Sequence, residues 1–263
     1  MAYEAMGFEM RDNVAWVTFN RPDALNAINA QATHEFYDIV NRISCDHSVR
    51  AVVLTGSGDR AFCAGGDVAE FHAKGDDVEA LVREMTGVLH VGISRLAWLP
   101  APVIAAVNGV AAGAGLSFAA CCDLAIAADT AKFTSAYTHI GLTPDGSSTF
   151  FLTRLLGRRR VMEMYMTNRV LSAQEALDWG LVNRVVPAAD LMSEVTKLAN
   201  QLASGPTRAY AGVKKLVMMS PNDTLESQME RETRVIAEMA RTKDAREGIS
   251  AFVAKRKPTF TGE

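Results

Sequence analysis

The chain has 263 residues, 49% hydrophobic and 22% charged, enough to bury a large core as one domain or one domain with an appendage. Its formal net charge of −3 gives no positive field, so we expect no binding to nucleic acid. Four cysteines without C-x-x-C spacing predict neither a disulfide framework nor a metal site. With no charged-then-apolar leader at its start, the sequence favours a cytoplasmic protein.

The first half of the chain alternates between apolar strands and helices. Strands are predicted at 14–19, 51–55, 103–107 and 124–127, and helices at 30–43 and 78–97. This alternation predicts right-handed βαβ units and therefore an α/β fold. The apolar stretch 103–128 is interrupted by Asn108, Ser117 and Asp123, so we expect no membrane span there.

The chain after about residue 147 is typical of consecutive helices. Ser172 and Glu175 have capping-box spacing, and Gly180 is predicted to end the helix that they open. Asp244 is predicted to cap a last helix. A helix near 224–240 carries an apolar stripe that either joins the core or packs on a neighbouring subunit. The stripe consists of Leu225, Met229, Ile236 and Met239.

Two glycine-rich segments, 61–67 and 108–115, each follow an apolar strand and open a helix. Both leave the backbone N–H groups of a helix start uncovered by large side chains. If the two segments converge, their N–H groups form an oxyanion hole, which holds the negative charge that develops on a carbonyl oxygen. Taken alone, Gly113 and Gly115 would also suit close packing of helix on strand, and Asp67 would suit a helix cap. Together the segments predict a catalyst for carbonyl-activated substrates.

The candidate acid is Asp145, which stands between proline and glycine in the segment 140–148. An acidic residue in that setting serves either a turn or catalysis. The motifs of phosphate-loop NTPases, dinucleotide-binding enzymes, serine hydrolases and zinc proteases are missing from the sequence, so those activities lose their usual support. His90 and Tyr137 are weaker candidates that also suit a partly buried core.

These segments together resemble the crotonase superfamily, also called the enoyl-CoA hydratase/isomerase family. The matching segments, in chain order, are 20–27, 61–67, 108–115, 131–133 and 247–256. The resemblance implies an α/β fold, a crotonase-like spiral of ββα units with a C-terminal helical oligomerisation tail. It implies an acyl-CoA-binding core at 1–200, a trimerisation region at 201–263, and a homotrimer or homohexamer. The substrate would be an acyl-CoA thioester, with coenzyme A as part of the substrate and no separate cofactor.

The resemblance also assigns site residues. It places the two oxyanion donors at the N–H groups of Gly66 and Ala114. It implies that coenzyme A lies along two stretches of the core, with two residues of the tail reaching the nucleotide, in some members from the adjacent subunit. The residues matched for this role are Ala24, Leu25, Ala64, Asp67 and Val68 in the core, and Phe252 and Lys255 in the tail.

The sequence departs from the typical hydratases at two positions. Those enzymes carry two glutamates that manage water attack, whereas Ser117 and Tyr137 stand here, so hydration lacks its usual acids. Asp145 matches a position that is acidic in some isomerases. It predicts a proton shuttle that moves a double bond while Gly66 and Ala114 hold the enolate oxygen. Phe71, Phe150 and Phe151 are candidates for an apolar wall beside it.

Four alternatives stay open, and an enoyl-CoA hydratase is one of them. Among isomerases, the segment 246–252 and the triplet 113–115 resemble the ring-epoxide isomerases of phenylacetyl-CoA breakdown, and enoyl-CoA isomerases are the more general option. Asp145 and His90 also match 4-chlorobenzoyl-CoA dehalogenases, in which the aspartate attacks an aryl carbon and the histidine activates water, although Tyr137 replaces their tryptophan. Some proteins of this fold only bind RNA or proteins, and such members need no catalytic acid.

Overall fold

Two β-sheets form the centre of the computed structural model, which describes residues 3–263. The strands of these residues are Met6–Arg11 (β1), Val14–Phe19 (β2), Ala51–Gly56 (β3), Ala61–Cys63 (β4), Val103–Val107 (β5), Val110–Ala112 (β6), Leu124–Ala128 (β7), Lys132–Thr134 (β8), Leu171–Ser172 (β9) and Arg184–Val186 (β10). The larger sheet has the order β1-β2-β3-β5-β7-β10, and the smaller has the order β4-β6-β8-β9. From β2 to β10 the larger sheet is parallel.

Helices connect and cover the strands. They are Ala30–Cys45 (α1), Val68–Lys74 (α2), Val78–Ala97 (α3), Ala114–Cys121 (α4), Ser148–Leu156 (α5), Arg158–Thr167 (α6), Ala173–Trp179 (α7), Leu191–Ala203 (α8), Thr207–Met219 (α9), Leu225–Met239 (α10) and Lys243–Val253 (α11). The mixture of parallel strands and helices confirms the predicted α/β class, and the predicted early strands and helices are all present. None of the helices within residues 3–263 has both the length and the apolar character that crossing a membrane requires.

The central strands of the larger sheet are buried on both faces, which explains their continuous apolar runs. Every residue of β3 and β5 is buried. One face packs against α1, α3 and α4 in the main core. The other face carries Ile104 and Ile126, which join Leu191 and Val195 of α8 in a second cluster. Such two-sided burial is typical of parallel sheets, whose crossover helices lie on both faces.

The smaller sheet sets the positions of the two glycine-rich segments. β4 and β6 are neighbouring parallel strands, and each ends in a turn that leads into a helix, α2 after β4 and α4 after β6. Gly115 allows α4 to begin against the end of β4, because a Cβ built on it would lie 1.9 Å from the Cys63 carbonyl oxygen. Neither strand is predictable from its own residues, since three residues are too few for a period-2 pattern.

The later helices confirm two of the predicted helix boundaries and contradict one predicted helix cap. Ser172 and Glu175 form the capping box, and Gly180 ends α7 with a φ of 84°. The prediction that Asp244 caps the last helix was wrong, because the Thr242 side chain accepts the hydrogen bond from the Ala245 N–H. The buried Asp244 carboxylate instead accepts hydrogen bonds from the C-terminal segment after α11.

The predicted apolar stripe of α10 is not in the core of this chain. Leu225, Met229 and Ile236 are all exposed. The exposure of these three residues therefore excludes a place in the core of the protomer and leaves contact with a neighbouring subunit as the remaining interpretation. The oligomeric state stays a prediction.

Candidate active site

The two glycine-rich turns meet in space and leave two backbone donors free. The Ile28 N–H donates to the Gly65 carbonyl at 2.7 Å, and the Asp67 N–H donates to the Ile28 carbonyl at 2.9 Å. This parallel bridge uses the neighbours of Gly66 and leaves its own N–H unpaired. Ala114 is the first residue of α4. Across residues 3–263, neither the Gly66 nor the Ala114 N–H has a protein acceptor.

The turns approach closely because their bends are made by glycines. Gly65 has a φ of 101° and Gly113 a φ of 52°, both in the left-handed region that favours glycine. A Cβ built on Gly65 would lie 3.5 Å from the Ala114 nitrogen. This contact brings the two predicted oxyanion turns together. The arrangement provides two N–H donors for a carbonyl oxygen, which is the geometry that stabilises an enolate.

Both turns border a cavity of about 560 Å³. Its wall is mainly apolar and includes Phe71, Val82, Met85, Leu89, Leu142 and Val170. Asp145 is the single acidic side chain that lines it within the described chain. A larger cavity of about 880 Å³ lies between α1 and the C-terminal helices, but neither turn borders it. We therefore take the smaller cavity as the active-site candidate.

One hydrogen bond holds the Asp145 carboxylate and leaves its second oxygen less constrained. The Tyr137 hydroxyl donates to Oδ1 at 2.6 Å. Oδ2 lies 4.0 Å from Nε2 of His90. Burial raises the pKa of Tyr137 far above its ordinary value, and the nearby Asp145 charge raises it further. Tyr137 therefore keeps its proton and acts as a hydrogen-bond donor to the carboxylate.

His90 lies on α3 behind this carboxylate. Its Nε2 accepts a hydrogen bond from the Gly146 N–H at 3.1 Å, so that nitrogen is unprotonated in this arrangement. His90 borders a second cavity of about 690 Å³, together with Phe150 and Phe151. These two phenylalanines are candidates for an apolar wall beside Asp145, but neither lines the active-site cavity. Phe71 does line the active-site cavity.

The residues matched for coenzyme A are partly gathered at the mouth of this cavity. Ala64 and Val68 line it. The loop that contains Ala24 and Leu25 adjoins Ala64, whose N–H donates to the Leu25 carbonyl at 3.0 Å. The structure thus brings together the two stretches that the resemblance assigns to the nucleotide and its linker. Their contacts with coenzyme A stay predictions.

Asp67 has a structural role at the same place. Its Oδ1 accepts hydrogen bonds from the first turn of α2, which confirms the predicted cap. Its Oδ2 accepts from the Arg21 guanidinium at 2.8 Å. Burial acts to raise the pKa of Asp67, but the hydrogen bonds from Arg21 and the helix lower it overall. The carboxylate is therefore ionised and occupied, and any contact of Asp67 with coenzyme A would add to these bonds.

The tail residues lie apart from the cavity within one protomer. Phe252 is 85% exposed, and Lys255 is exposed just beyond α11. Neither lines the cavity. Their predicted contact with the nucleotide would suit a neighbouring subunit and remains a prediction. Residues 3–263 contain no cluster of three or more histidine, cysteine or acidic side chains suited to a metal ion.

Sequence reasoning missed Ser148, which supports the Asp145 turn. Its buried hydroxyl donates to the Asp145 main-chain carbonyl at 3.0 Å and accepts from the Tyr165 hydroxyl at 2.9 Å. A serine just after a Pro-Asp-Gly turn is a common helix start, so the pattern alone carried no functional signal. The Ser148–Tyr165 contact could be found only from the packing of α5 on α6.

Comparison with known proteins assigns the fold and site to a family. The model of the family described as enoyl-CoA hydratase/isomerase matches residues 9–263. The chain belongs to the enoyl-CoA hydratase/isomerase family. Its members process acyl-CoA thioesters, and the family name covers both hydration and isomerisation, so the match leaves the individual reaction open. The resemblance to the crotonase superfamily is thereby confirmed.

Named relatives differ in the reaction they carry. A probable enoyl-CoA hydratase of Rhodobacter capsulatus is 39% identical over the whole of both chains. The 1,2-epoxyphenylacetyl-CoA isomerase of Escherichia coli is 38% identical over 95% of both chains. The 4-chlorobenzoyl coenzyme A dehalogenase-2 of an Arthrobacter species is 41% identical over 86% of this chain and 82% of its own.

The fold is also that of solved members. An enoyl-CoA hydratase crystal structure from Polaromonas has 33% identity and a TM-score of 0.92, covering 97% of this chain and 99% of its own. The predicted crotonase-like fold is therefore confirmed. Because such similar chains carry different activities, the reaction must be argued from the side chains of the cavity.

Proposed function

We propose that the chain is a cytoplasmic enoyl-CoA isomerase that moves a carbon–carbon double bond by shuttling one proton through Asp145. The main support is that, among residues 3–263, Asp145 is the single acidic side chain that lines the cavity bordered by the Gly66 and Ala114 turns. The exposed stripe of α10 supports a homotrimer or homohexamer for this enzyme.

In the proposed reaction the thioester oxygen accepts hydrogen bonds from the Gly66 and Ala114 N–H groups. Asp145 Oδ2 removes a proton from C2 of a 3-enoyl-CoA, and the electron pair of that C–H bond passes to the thioester oxygen to give a dienolate. Asp145 then returns the proton to C4 while the enolate collapses, which leaves the double bond between C2 and C3. Each oxyanion donor is worth roughly 2.7–4 kcal/mol of barrier in comparable sites.

The contacts of Ser117 and Tyr137 argue against hydration by the usual pair of acids. At these positions the chain offers two hydroxyls, and burial raises the pKa of Tyr137, so neither group can act as a general base for water near neutral pH. A single carboxylate can move a proton between two carbons, but it cannot activate water and protonate the alkene as two separate acids do.

Dehalogenation is the second candidate, and the 4.0 Å separation of His90 Nε2 from Asp145 Oδ2 favours it. Two contacts argue against it. The Tyr137 hydroxyl draws charge from the carboxylate that would attack the aryl carbon. The lone pair of His90 Nε2, which would have to activate water, already accepts from the Gly146 N–H.

The decisive experiment compares wild type with Asp145→Asn on 3-enoyl-, 2-enoyl- and 4-chlorobenzoyl-CoA. The asparagine oxygen can still accept from Tyr137, so folding and KM should change little. Loss of the proton shuttle should lower kcat for 3-enoyl-CoA by about 10²–10⁴-fold. In heavy water, wild type should place deuterium at C2 or C4, and the variant should not.

Two results would contradict the proposal. Rapid hydration of crotonyl-CoA that survives Asp145→Asn would show that the acid is not required. Release of chloride from 4-chlorobenzoyl-CoA by wild type, but not by Asp145→Asn, would show that Asp145 acts as a nucleophile. The free energy of unfolding of both proteins serves as the control for loss of structure.

A further inference from the structure

Ser117 occupies the junction between the Tyr137 hydroxyl and the turn that carries Asp145. Its side chain is fully buried on α4 and does not line the active-site cavity. Its Oγ lies 3.2 Å from the Tyr137 hydroxyl, 3.1 Å from the Asp145 main-chain carbonyl and 3.3 Å from the Gly113 carbonyl. One hydroxyl thus touches the phenol that holds the base, the backbone of the base, and the turn that precedes Ala114.

The number of protons decides the direction of these hydrogen bonds. A serine and a tyrosine hydroxyl each have one proton to donate, whereas a carboxylate only accepts. While Asp145 is ionised, the Tyr137 proton is committed to Oδ1, where the distance is 2.6 Å. The contact between Ser117 and Tyr137 can then be a hydrogen bond only if Ser117 donates to the phenol oxygen.

The preferred directions of the hydrogen bonds among Ser117, Tyr137 and Asp145 change when Asp145 has taken a proton from the substrate. A neutral carboxyl group holds the Tyr137 proton less strongly than a carboxylate does. Tyr137 can then donate to Ser117, and Ser117 can donate to the carbonyl of Asp145 or Gly113. Both arrangements satisfy the buried Ser117 hydroxyl, because acceptors are available on either side of it.

We propose that Ser117 is a positioning residue that acts through Tyr137, donating to the phenol while Asp145 is charged and accepting from it while Asp145 holds the substrate proton. This inference rests on the proposed role of Asp145 as the proton shuttle. A donor on the phenol oxygen strengthens the hydrogen bond that the phenol itself gives, since linked hydrogen bonds polarise one another. Ser117 thereby favours the ionised form of the base before each turnover.

Ser148 provides a matched control. Its hydroxyl is buried and donates to the Asp145 carbonyl, which the Ser117 hydroxyl also contacts, but it contacts Tyr165 rather than Tyr137. The experiment measures kcat and KM against pH for Ser117→Ala, Ser148→Ala, Tyr137→Phe and the double variant Ser117→Ala/Tyr137→Phe, with 3-enoyl-CoA as substrate. The other titratable groups near the carboxyl are unchanged in all four variants: His90 from α3, Tyr165 from α6, and His139, which lines the same cavity.

At a pH on the acid limb, where the base is partly protonated, we expect Ser117→Ala to lower kcat/KM about fivefold, the effect of one neutral hydrogen bond. The acid limb of its kcat/KM profile should move to higher pH, because the charged form of the base has lost support. Ser148→Ala should leave that limb in place. In the Tyr137→Phe background the Ser117 substitution should move the limb no further, because the link between the two residues is already broken.

The inference is overturned if Ser117→Ala and Ser148→Ala shift the profile equally, since support of the backbone would then explain both. It is also overturned if Ser117→Ala keeps its full effect without the phenol. Failure of the proposed function looks different, because wild type would then not isomerise 3-enoyl-CoA, or Asp145→Asn would retain the activity, whatever the serine variants do.

Discussion

Gly115→Ala tests whether the contact between α4 and β4 sets the position of an oxyanion donor. A Cβ at this position would lie 1.9 Å from the Cys63 carbonyl oxygen and 2.7 Å from the Cys63 carbonyl carbon. Ordinary contact begins at about 3.4 Å, so the start of α4 and the end of β4 would have to separate by about 1.5 Å. Both atoms belong to the backbone, so no side-chain rotation relieves the overlap.

We expect two measurable effects. Overpacking of this kind costs about 3 kcal/mol in the free energy of unfolding, measured by urea denaturation. The shift also displaces the neighbouring Ala114 N–H. Because a misplacement of about 1 Å can lower the rate of the chemical step about 10²-fold, kcat for 3-enoyl-CoA should fall by about that factor in the folded fraction.

Gly87→Ala is the matched control. Gly87 lies within α3, and a Cβ built on it meets nothing within 4 Å. This substitution should leave kcat unchanged and stabilise the protein by about 0.4–1 kcal/mol through the unfolded chain. If Gly115→Ala retained both wild-type stability and wild-type kcat, the close approach of the two turns would not control the donor, and the reasoning would fail.

Two further predictions concern charges outside the cavity. Lys214 Nζ lies 2.7 Å from Asp123 Oδ2, and the Lys214 side chain is 11% exposed and that of Asp123 27%. Lys214→Met should therefore cost about 1.5–3 kcal/mol of unfolding free energy, the range for a hydrogen bond to a charged group, and Lys214→Met/Asp123→Asn should recover much of it. Equal stability of these two variants would refute this prediction. Hydrogen bonds from the Ser172 backbone and the Arg169 side chain lower the pKa of Glu175 to about 2. The ionised Glu175 side chain therefore stabilises the fold fully above about pH 4.5, and this stabilisation is lost as the pH falls towards 2. The difference in unfolding temperature between wild type and Glu175→Gln should shrink between these pH values and stay constant above them.

Four strands of the larger sheet, β2, β3, β5 and β7, could be predicted because burial on both faces requires a continuous apolar run, whereas its edge strands β1 and β10 were not predicted. β3 and β5 satisfy this within their own five or six residues. β4 and β6 have three residues each and owe their existence to pairing across the chain, which no local pattern reveals. The error at Asp244 has a similar origin. Thr242 and Asp244 both suit a helix cap, and the choice depends on the C-terminal segment that hydrogen-bonds Asp244.

The site was predictable only where a helix start or a family motif marked it. The glycines at 65–66 and 113–115 identify two bare helix starts, but their convergence with Asp145 depends on three separate stretches of chain. The resemblance brought these together; periodicity did not. The direction of Phe150 and Phe151 was out of reach, because it depends on where α5 begins after the two positive-φ residues Gly146 and Ser147.

In the proposed mechanism, the two departures from the hydratase pattern, Ser117 and Tyr137 in place of glutamates, act together to change the reaction. The positions at which typical hydratases hold water-handling acids here carry Ser117 and Tyr137, which hydrogen-bond each other and hold Asp145. Replacing acids by hydroxyls removes the groups that would activate water, and the same hydroxyls fix one oxygen of the remaining carboxylate. The other oxygen is then left free to accept a proton from a C–H bond, while the Gly66 and Ala114 donors still favour an enolate. A scaffold that stabilises enolates is thereby directed from adding water to relocating a proton.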